Sequence, residues 1–342
     1  VDFSNTASYD SLLNCMINAP SSTSTSNAVA GIYGTGLSGT DIIIKGNTVS
    51  GGSSGIYLTG TSSTVPMMNN IIDSNTITGH YYYGVYRTNA QFSEVTRNTI
   101  PVMLPRNTTS YGIYLSNNDS AYQVNENRIT IDGTTSTAYG MYLTGCAARP
   151  YNGSVSRNII TATNGISGTL YGMYQTGTQG NYTVNNVIDV ATSATSSYGI
   201  YSTGGSGGKK FYNNTVRNSS TNSTSTSNIA AYFSHSTSSV GLVNIRNNVF
   251  MHNAGGIPVN YVNVASIYTD FNMYYTSGAT IIRQSSTNYA TLQDWRDAEN
   301  WDYNSIVYTP AFAAGTDLEP DVANPDVWAM HGRGVQIDDN PS

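Results

Sequence analysis

The chain has 342 residues, only 10% of them charged, and a formal net charge of -6; Ser, Thr, Asn, Gly and 27 tyrosines supply its polarity instead. Its one adjacent basic pair, Lys209-Lys210, reads as a solvated turn, so the composition does not suit a nucleic-acid partner, and no stretch is apolar enough to insert in a membrane. Charged residues usually make up about a quarter of a soluble domain, and neutral surfaces rich in hydroxyls and amides are common in secreted β-solenoids.

Residues 1–30 read as a first, irregular coil with an outward Ser/Thr loop over 21–26. The chain opens in what looks like mid-strand, Val1-Asp2-Phe3, as expected of a piece or mature form of a longer protein. From residue 31 one phrase recurs. It is clearest as Gly112-Ile113-Tyr114-Leu115-Ser116; other copies begin at Gly31, Gly55, Gly84, Gly140, Gly172, Gly199 and, worn down, Ala230. Between the copies lies an Asn flanked by apolar residues: Asn47, Asn75, Asn98, Asn127, Asn158, Asn186, Asn214, Asn248 and Asn272. Successive Asn positions are 28, 23, 29, 31, 28, 28, 34 and 24 apart. A period of about 28 residues means stacked units, none of which can bury its apolar side alone.

Three columns stay apolar: three residues before the Asn (Ile44, Ile72, Val95, Val124), two after it (Val49, Ile77, Ile100, Ile129), and just after the Gly (Ile32, Ile56, Val85, Ile113). Short segments rich in Ile, Val, Tyr and Thr, separated by Gly, Ser and Asn, are strand and turn composition without helical period. The expected fold is all-β: a right-handed parallel β-helix of about nine coils, roughly 40–45 Å long at the interstrand spacing. The Asn column is expected to adopt the left-handed conformation at a bend and to form an amide ladder along the axis. Insertions over 101–110, 147–152 and 218–228 are expected to fall at one corner. Asn14 looks like the Asn of the first coil, which sets Cys15 about four coils from Cys146, too far for a disulfide, so both are expected as free thiols.

The repeat stops after Tyr275, dividing the chain into a β-helix over 1–275 and a closing segment over 276–342. Thr291-Leu292-Gln293-Asp294 predicts a capped helix over 292–299. Trp295, Trp301, Tyr303, Phe312 and Trp328 are expected to cover the open end of the core. The N-terminal coil has no such cap, so preceding residues or another subunit are expected to cover it.

Asp270-Phe271-Asn272-Met273-Tyr274-Tyr275 resembles the close of right-handed parallel β-helix modules in large secreted Bacteroidota surface proteins. Thr291-Leu292-Gln293-Asp294-Trp295, Asp302-Tyr303-Asn304-Ser305, Thr309-Pro310-Ala311-Phe312, Thr316-Asp317-Leu318-Glu319-Pro320 and Gly332-Arg333-Gly334 resemble the tail of the same family, whose usual continuation is absent after Asp338-Asp339-Asn340. The resemblance implies a module of a giant adhesin or filament exported by the type IX route. Asp10-Ser11-Leu12 and Asp119-Ser120-Ala121 are similar to the O-glycosylation pattern of that phylum, making Ser11 and Ser120 candidates, the latter in a predicted turn. Triplets at Asn107, Asn118 and Asn152 match the N-glycan pattern, as chance allows in so Asn- and Ser-rich a chain.

Parallel β-helices also house polysaccharide lyases and glycosidases, which need clustered carboxylates or carboxylate-bound calcium. The residues before the Asn column place Arg97, Glu126 and Arg157 on adjacent coils as plus, minus, plus. That is a surface salt ladder, or a catalytic set if the chain is an enzyme, although no second carboxylate joins Glu126. Lys45, Asp73, Arg246 and Asp270, one column back, are too scattered to pair. His80, His235, His252 and His331 fall in different registers, so no metal site is expected, and Asp317, Glu319, Asp321 and Asp326 read as a solvated tail.

The repeated tyrosines are the strongest surface signal. Tyr33, Tyr57, Tyr86, Tyr114, Tyr142, Tyr174, Tyr201 and Tyr232 follow the inward column by one residue and should face out. They either stack and stiffen the rod or form a platform for sugars or a neighbouring module, with Tyr57, Tyr86, Tyr114, Tyr142, Tyr174 and Tyr201 as the binding candidates. A second set, Tyr83, Tyr111, Tyr139, Tyr171 and Tyr198, falls inward by strict alternation or sits at the corner. These readings favour a non-enzymatic extracellular module of a bacterial surface filament or giant adhesin, a rigid rod without cofactor or metal. Its expected partners are neighbouring modules or subunits of the same filament and cell-surface glycans. The alternative is a polysaccharide lyase or glycoside hydrolase of β-helix type.

Overall fold

A computed structural model of the protein describes residues 1–103, 108–133, 136–147, 152–162, 166–205, 208–221, 227–236, 242–314, 317–330 and 333–337. Parts of the three insertions, and with them Asn107, Thr316, His331, Gly332, Asp338, Asp339 and Asn340, lie outside the described residues. The insertions do not share one corner as expected: those at 101–110 and 218–228 join a third-sheet strand to a first-sheet strand, whereas that at 147–152 joins a first-sheet strand to a second-sheet one. The chain winds as a parallel β-helix with sheets of thirteen, eleven and ten strands, parallel except where Ile282–Gln284 meets Thr287–Tyr289. In one coil Ser110–Asp119 lies in the first sheet, Gln123–Asn125 in the second and Arg128–Ile131 in the third.

Register follows the apolar columns. Ile113 pairs with Met141, Val124 with Val155 and Ile129 with Ile160, and all six are fully buried. The short strands of the second and third sheets send one or two side chains inward and the longer first-sheet strands more, and stacking coils at the interstrand spacing closes the apolar columns into one core. The repeated Gly sits where the first sheet begins close against the third. A Cβ on Gly112 would lie 2.5 Å from the Gly140 carbonyl oxygen and 2.9 Å from Ile129 Cγ2, so the column is glycine for lack of room.

The second and third sheets meet at a two-residue corner. The left-handed residue there is not the Asn but the one before it: Ser74 (φ 56°), Arg97 (54°), Glu126 (60°), Arg157 (55°) and Phe271 (57°), with Gly46 at 68°. This corrects the expectation for the Asn, whose side chain is committed to the ladder. It also shifts the first coil. Asn14 takes the left-handed position (φ 52°), and Cys15 stands in the Asn column, its N–H donating to Asn47 Oδ1 at 2.9 Å. Cys15 and Cys146 are both free thiols.

Parallel pairing continues past Tyr275. Ile282–Gln284 adds to Val259–Tyr261, and Ile306–Val307 adds to Met273–Tyr274. In this last coil helix α1, Leu292–Glu299, occupies the stretch between the two strands, with Thr291 and Asp294 forming a reciprocal capping box. Trp295 is fully buried, stacks on Tyr261 and donates from Nε1 to Asp302. Trp328 is 47% exposed and packs beside Tyr308, not over the open end. The tail instead returns along the flank. An antiparallel turn bridges Phe312 and Pro320, Asp317 pairs with Arg128, Asn247 exchanges hydrogen bonds with the Val335 backbone at 2.8 and 3.0 Å, and Ile337 packs on Tyr182, Val184 and Tyr212. A segment expected as cap and solvated tail is therefore in part a lateral strap, because an outer row of half-buried side chains offers it a seat.

Candidate functional site

Two ladders run the length of the rod. In the first, each Asn of the column directs its backbone N–H and its Nδ2 at the Oδ1 of the Asn one coil on. For Asn127 both go to Asn158 Oδ1, at 3.0 Å each, while Nδ2 also reaches back to the Val95 carbonyl at 2.8 Å. The same pattern links Asn47, Asn75, Asn98, Asn127, Asn158, Asn186, Asn214, Asn248 and Asn272, all buried. At Asn272 the run ends on other chemistry: its N–H donates to Ser305 Oγ at 2.8 Å, and Nδ2 meets Thr269 Oγ1 at 2.9 Å and Asp302. Asp302 is almost wholly buried. Burial pushes its carboxyl up, while hydrogen bonds from Ser305, Trp295 and Tyr274 pull the other way.

The second ladder is aromatic and two rings wide. Tyr86, Tyr114, Tyr142, Tyr174 and Tyr201 stack with centroids 4.9–5.1 Å apart and nearly parallel planes. Tyr57 and Tyr33 extend the stack at one end and Tyr232 at the other. Tyr83, Tyr111, Tyr139, Tyr171 and Tyr198 stack alongside on the same half-buried outer face, so strict alternation fails for them. They lie before the Gly, where the strand turns its corner. The two stacks meet edge to face, as Tyr139 and Tyr142 do at 5.0 Å and 88°. Ring faces are thus covered by rings, and edges and hydroxyls remain for solvent. A third column of hydroxyls completes the face: Thr59, Thr88, Ser116, Thr144, Thr176 and Thr203 pair in register. Burial pushes the phenols up, to about 12 for Tyr86, Tyr114 and Tyr139, and a hydrogen bond to the hydroxyl two residues on opposes it at Tyr86 and Tyr114.

The charged groups sort differently from the expected plus, minus, plus. Arg157 pairs with Glu126 at 2.9 Å, but Arg97 turns to Asp73 at 2.8 Å. Asp73, expected to be unpaired, also holds Lys45 at 3.1 Å, and these cations pull its carboxyl down against burial. The corner brings the column before the Asn within reach of its neighbour, a proximity that strand spacing alone does not reveal. Among the described residues no three His, Cys, Asp or Glu side chains cluster as metal ligands.

Several buried polar groups gave no sequence signal. Lys209 is fully buried, not a solvated turn: Nζ donates to the Gly204 carbonyl at 3.2 Å, and burial lowers its pKa to about 7. His235 shares that carbonyl and is driven down to about 3. Arg87 is also fully buried, its Nε donating to Asn118 Oδ1 at 2.7 Å and Nη1 to the Glu94 carbonyl at 2.9 Å. Both cations occupy inward positions where most coils carry apolar or neutral side chains. Of the glycan candidates, Ser11 is exposed, whereas Ser120 is 5% exposed in a left-handed turn, which leaves little room for the projecting glycan expected there. Asn118 is likewise buried and Asn152 exposed. An open cleft of about 290 Å³ lies between the strap and the third sheet, bordered by Asn213, Asn247, Phe271, Met330 and Arg333.

No curated protein matches the chain. The Dettilon tailspike protein (gp208), a solved structure, is similar over 82% of this chain and 50% of its own, at 14% identity and a TM-score of 0.39, so the chain spans about half its length. Residues 4–152, less than half of the chain, match the family described as periplasmic copper-binding protein (NosD).

Proposed function

We propose that the chain is a rigid, non-catalytic rod outside the cytoplasm, a module of a bacterial surface filament or giant adhesin of the type IX-exported Bacteroidota kind. The observation that carries this reading is the pair of unbroken ladders: eight amide links from Asn47 to Asn272 inside, and the doubled tyrosine stack outside. Such ladders fix every coil to its neighbours and favour stiffness. A catalytic acid or base must be free to exchange a proton with substrate, whereas Glu126 and Asp73 are held by cations. The tyrosine face is the proposed adhesive surface, with Tyr57, Tyr86, Tyr114, Tyr142, Tyr174 and Tyr201 as its contacts. Neighbouring modules and cell-surface glycans are the proposed partners, Ser11 is the proposed O-glycan site, and residues 276–342 are the proposed closing segment.

Copper is not part of this reading. Within residues 4–152 Cys146 is fully buried, Cys15 lies in the first coil's Asn column, and His80 is buried, so these donors do not converge on one site. The test joins small-angle scattering with a turnover assay on uronate polymers and neutral glycans. A straight rod and no product are expected. Product formation abolished by Glu126→Gln would overturn the proposal in favour of the lyase or hydrolase.

A further inference from the structure

On the outer face of the first sheet the two tyrosine columns and the Thr/Ser column hold no charged side chain of their own from Tyr57 to Tyr201; Asp119 lies further along one strand of that sheet, and Arg283 acts on Tyr198 from the next coils. In the central column Asp2 pairs with Tyr33 at one end and Asn260 with Arg283 at the other, and every residue between is Tyr until Asn260. Beside it run the second tyrosines and the Thr/Ser column, so from Tyr86 to Tyr201 each rank reads phenol, phenol, hydroxyl. Ranks repeat at the ring spacing of 4.9–5.1 Å from coil to coil.

We infer that this face binds an unbranched, neutral, β-linked glycan lying along the rod axis and recognises it by hydroxyl-to-hydroxyl hydrogen bonds, an inference that rests on the adhesive reading above. Three properties select that occupant. The absence of charge in the columns leaves no partner for an acidic polymer or a charged protein surface. The apolar ring faces are spent on one another, so the face lacks the desolvated aromatic core that a stable protein interface needs. What remains is a linear array of donors and acceptors, and an extended β-linked pyranose chain presents one ring of hydroxyls at close to the interstrand repeat. An α-linked chain coils away from such a line. Burial raises the phenols of Tyr86, Tyr114 and Tyr139 to about 12, so these can donate as well as accept throughout the physiological range.

The experiment uses the full chain, swollen cellulose as the β-linked probe, soluble starch as the α-linked one and polygalacturonate as the charged one. The triple variant Tyr114→Phe, Tyr142→Phe, Tyr174→Phe keeps every ring in its stack and removes three hydroxyls. Retention on cellulose alone is expected, with affinity falling about tenfold or more in the triple variant and the melting temperature and scattering curve nearly unchanged. Thr144→Val, which leaves every ring in place and removes only the hydroxyl bonded to that of Tyr142, should weaken retention in the same direction and guards against a folding defect in the triple variant. Equal retention by the triple variant, equal binding of starch or polygalacturonate, or no retention on cellulose would each overturn the inference. So would self-association that the triple variant abolishes, since it would assign the face to a second copy. A straight rod that fails to bind sinks this inference alone, whereas a chain that scatters as a flexible coil sinks the rod reading first.

Discussion

Replacing Asn127 by Ala tests the amide ladder at its middle. The side chain makes four hydrogen bonds: Oδ1 accepts from Asn98 N at 3.0 Å and from Asn98 Nδ2 at 3.1 Å, and Nδ2 donates to Val95 O at 2.8 Å and to Asn158 Oδ1 at 3.0 Å. Two partners keep another bond, since Asn98 Nδ2 retains the Ile72 carbonyl and Asn158 Oδ1 retains the Asn127 N–H. The Asn98 N–H and the Val95 carbonyl lose this side chain as partner, in a site that water does not reach. At about 1–3 kcal/mol for each buried group left unmade, the expected loss is about 2–6 kcal/mol. Thr99→Ala, which touches no ladder atom and lies next to Asn98, should cost within about 0.5 kcal/mol. The assay is guanidinium denaturation combined with amide hydrogen exchange, which should show the Asn98 amide losing protection before its neighbours. A loss below about 1 kcal/mol with the Asn98 amide still protected would refute the reasoning and mean that the turn groups find water or other partners.

Lys209 carries a pH signature. Its folded pKa is depressed to about 7 from 10.5, so the unfolded chain binds the extra proton between those values, and stability should rise as pH climbs through that window. Lys209→Met should melt higher than the parent at pH 6 and lose most of that advantage at pH 9; equal gains at both would refute it. The stacked tyrosines act with the opposite sign. Phenols raised to about 12 leave stability intact below pH 10 and remove it as pH rises further, so tyrosinate absorbance should lag behind free tyrosine and finish with unfolding. Trp295→Ala should cost about 3–5 kcal/mol, as for other buried aromatics, and expose Asp302 to solvent, checked by the melting temperature and by deuterium uptake in the last coil. Asp317→Ala should cost less than about 1 kcal/mol, as surface pairs do, while making the strap more open to limited proteolysis; unchanged cleavage would mean that Arg128 does not hold it.

Period and apolar columns were legible because both repeat: an Ile or Val at Ile44, Ile72 and Val95 needs the same face each time. Helix α1 was legible from Thr291 and Asp294, since a capping box is local chemistry. The left-handed corner was not. Its residues are Asn at Asn14, Asn185, Asn213 and Asn247 and Gly at Gly46, which suit that backbone, but Ser74, Arg97, Glu126, Arg157 and Phe271 stand there too, because the Asn ladder holds the backbone whatever the side chain. A cost of about 1–2 kcal/mol per non-glycine residue in that conformation is set against the amide bonds beside it. Asp73 was misread because pairing across a corner depends on how far long side chains reach, not on register. Lys209 was hidden for a related reason: a long side chain beside a turn looks alike in sequence whether it points out or in; Arg87 lies mid-strand in a column that is Leu58 and Leu115 on the flanking coils, where a charge is read as a break in the column and not as a buried cation. The strap was invisible because it depends on contacts between Asp317 and Arg128 and between Val335 and Asn247, far apart along the chain.

The amide ladder has a direction. Every link from Asn47 onward sends its hydrogens toward the same end of the rod, and the last, Asn272, delivers them to Ser305 and Asp302 instead of another amide. In these Asn-to-Asn links each interior coil offers its Oδ1 on one side and its N–H and one Nδ2 hydrogen on the other, like a bead with a plug and a socket, while the second Nδ2 hydrogen clasps a carbonyl of the coil before. A coil copied and spliced in anywhere between those limits finds the connection it needs already made on both sides, with no new contact to invent. Length becomes a countable trait, changed one rung at a time by in-frame duplication, while Ser305 and Asp302 serve as the terminator that any longer or shorter version can keep unchanged.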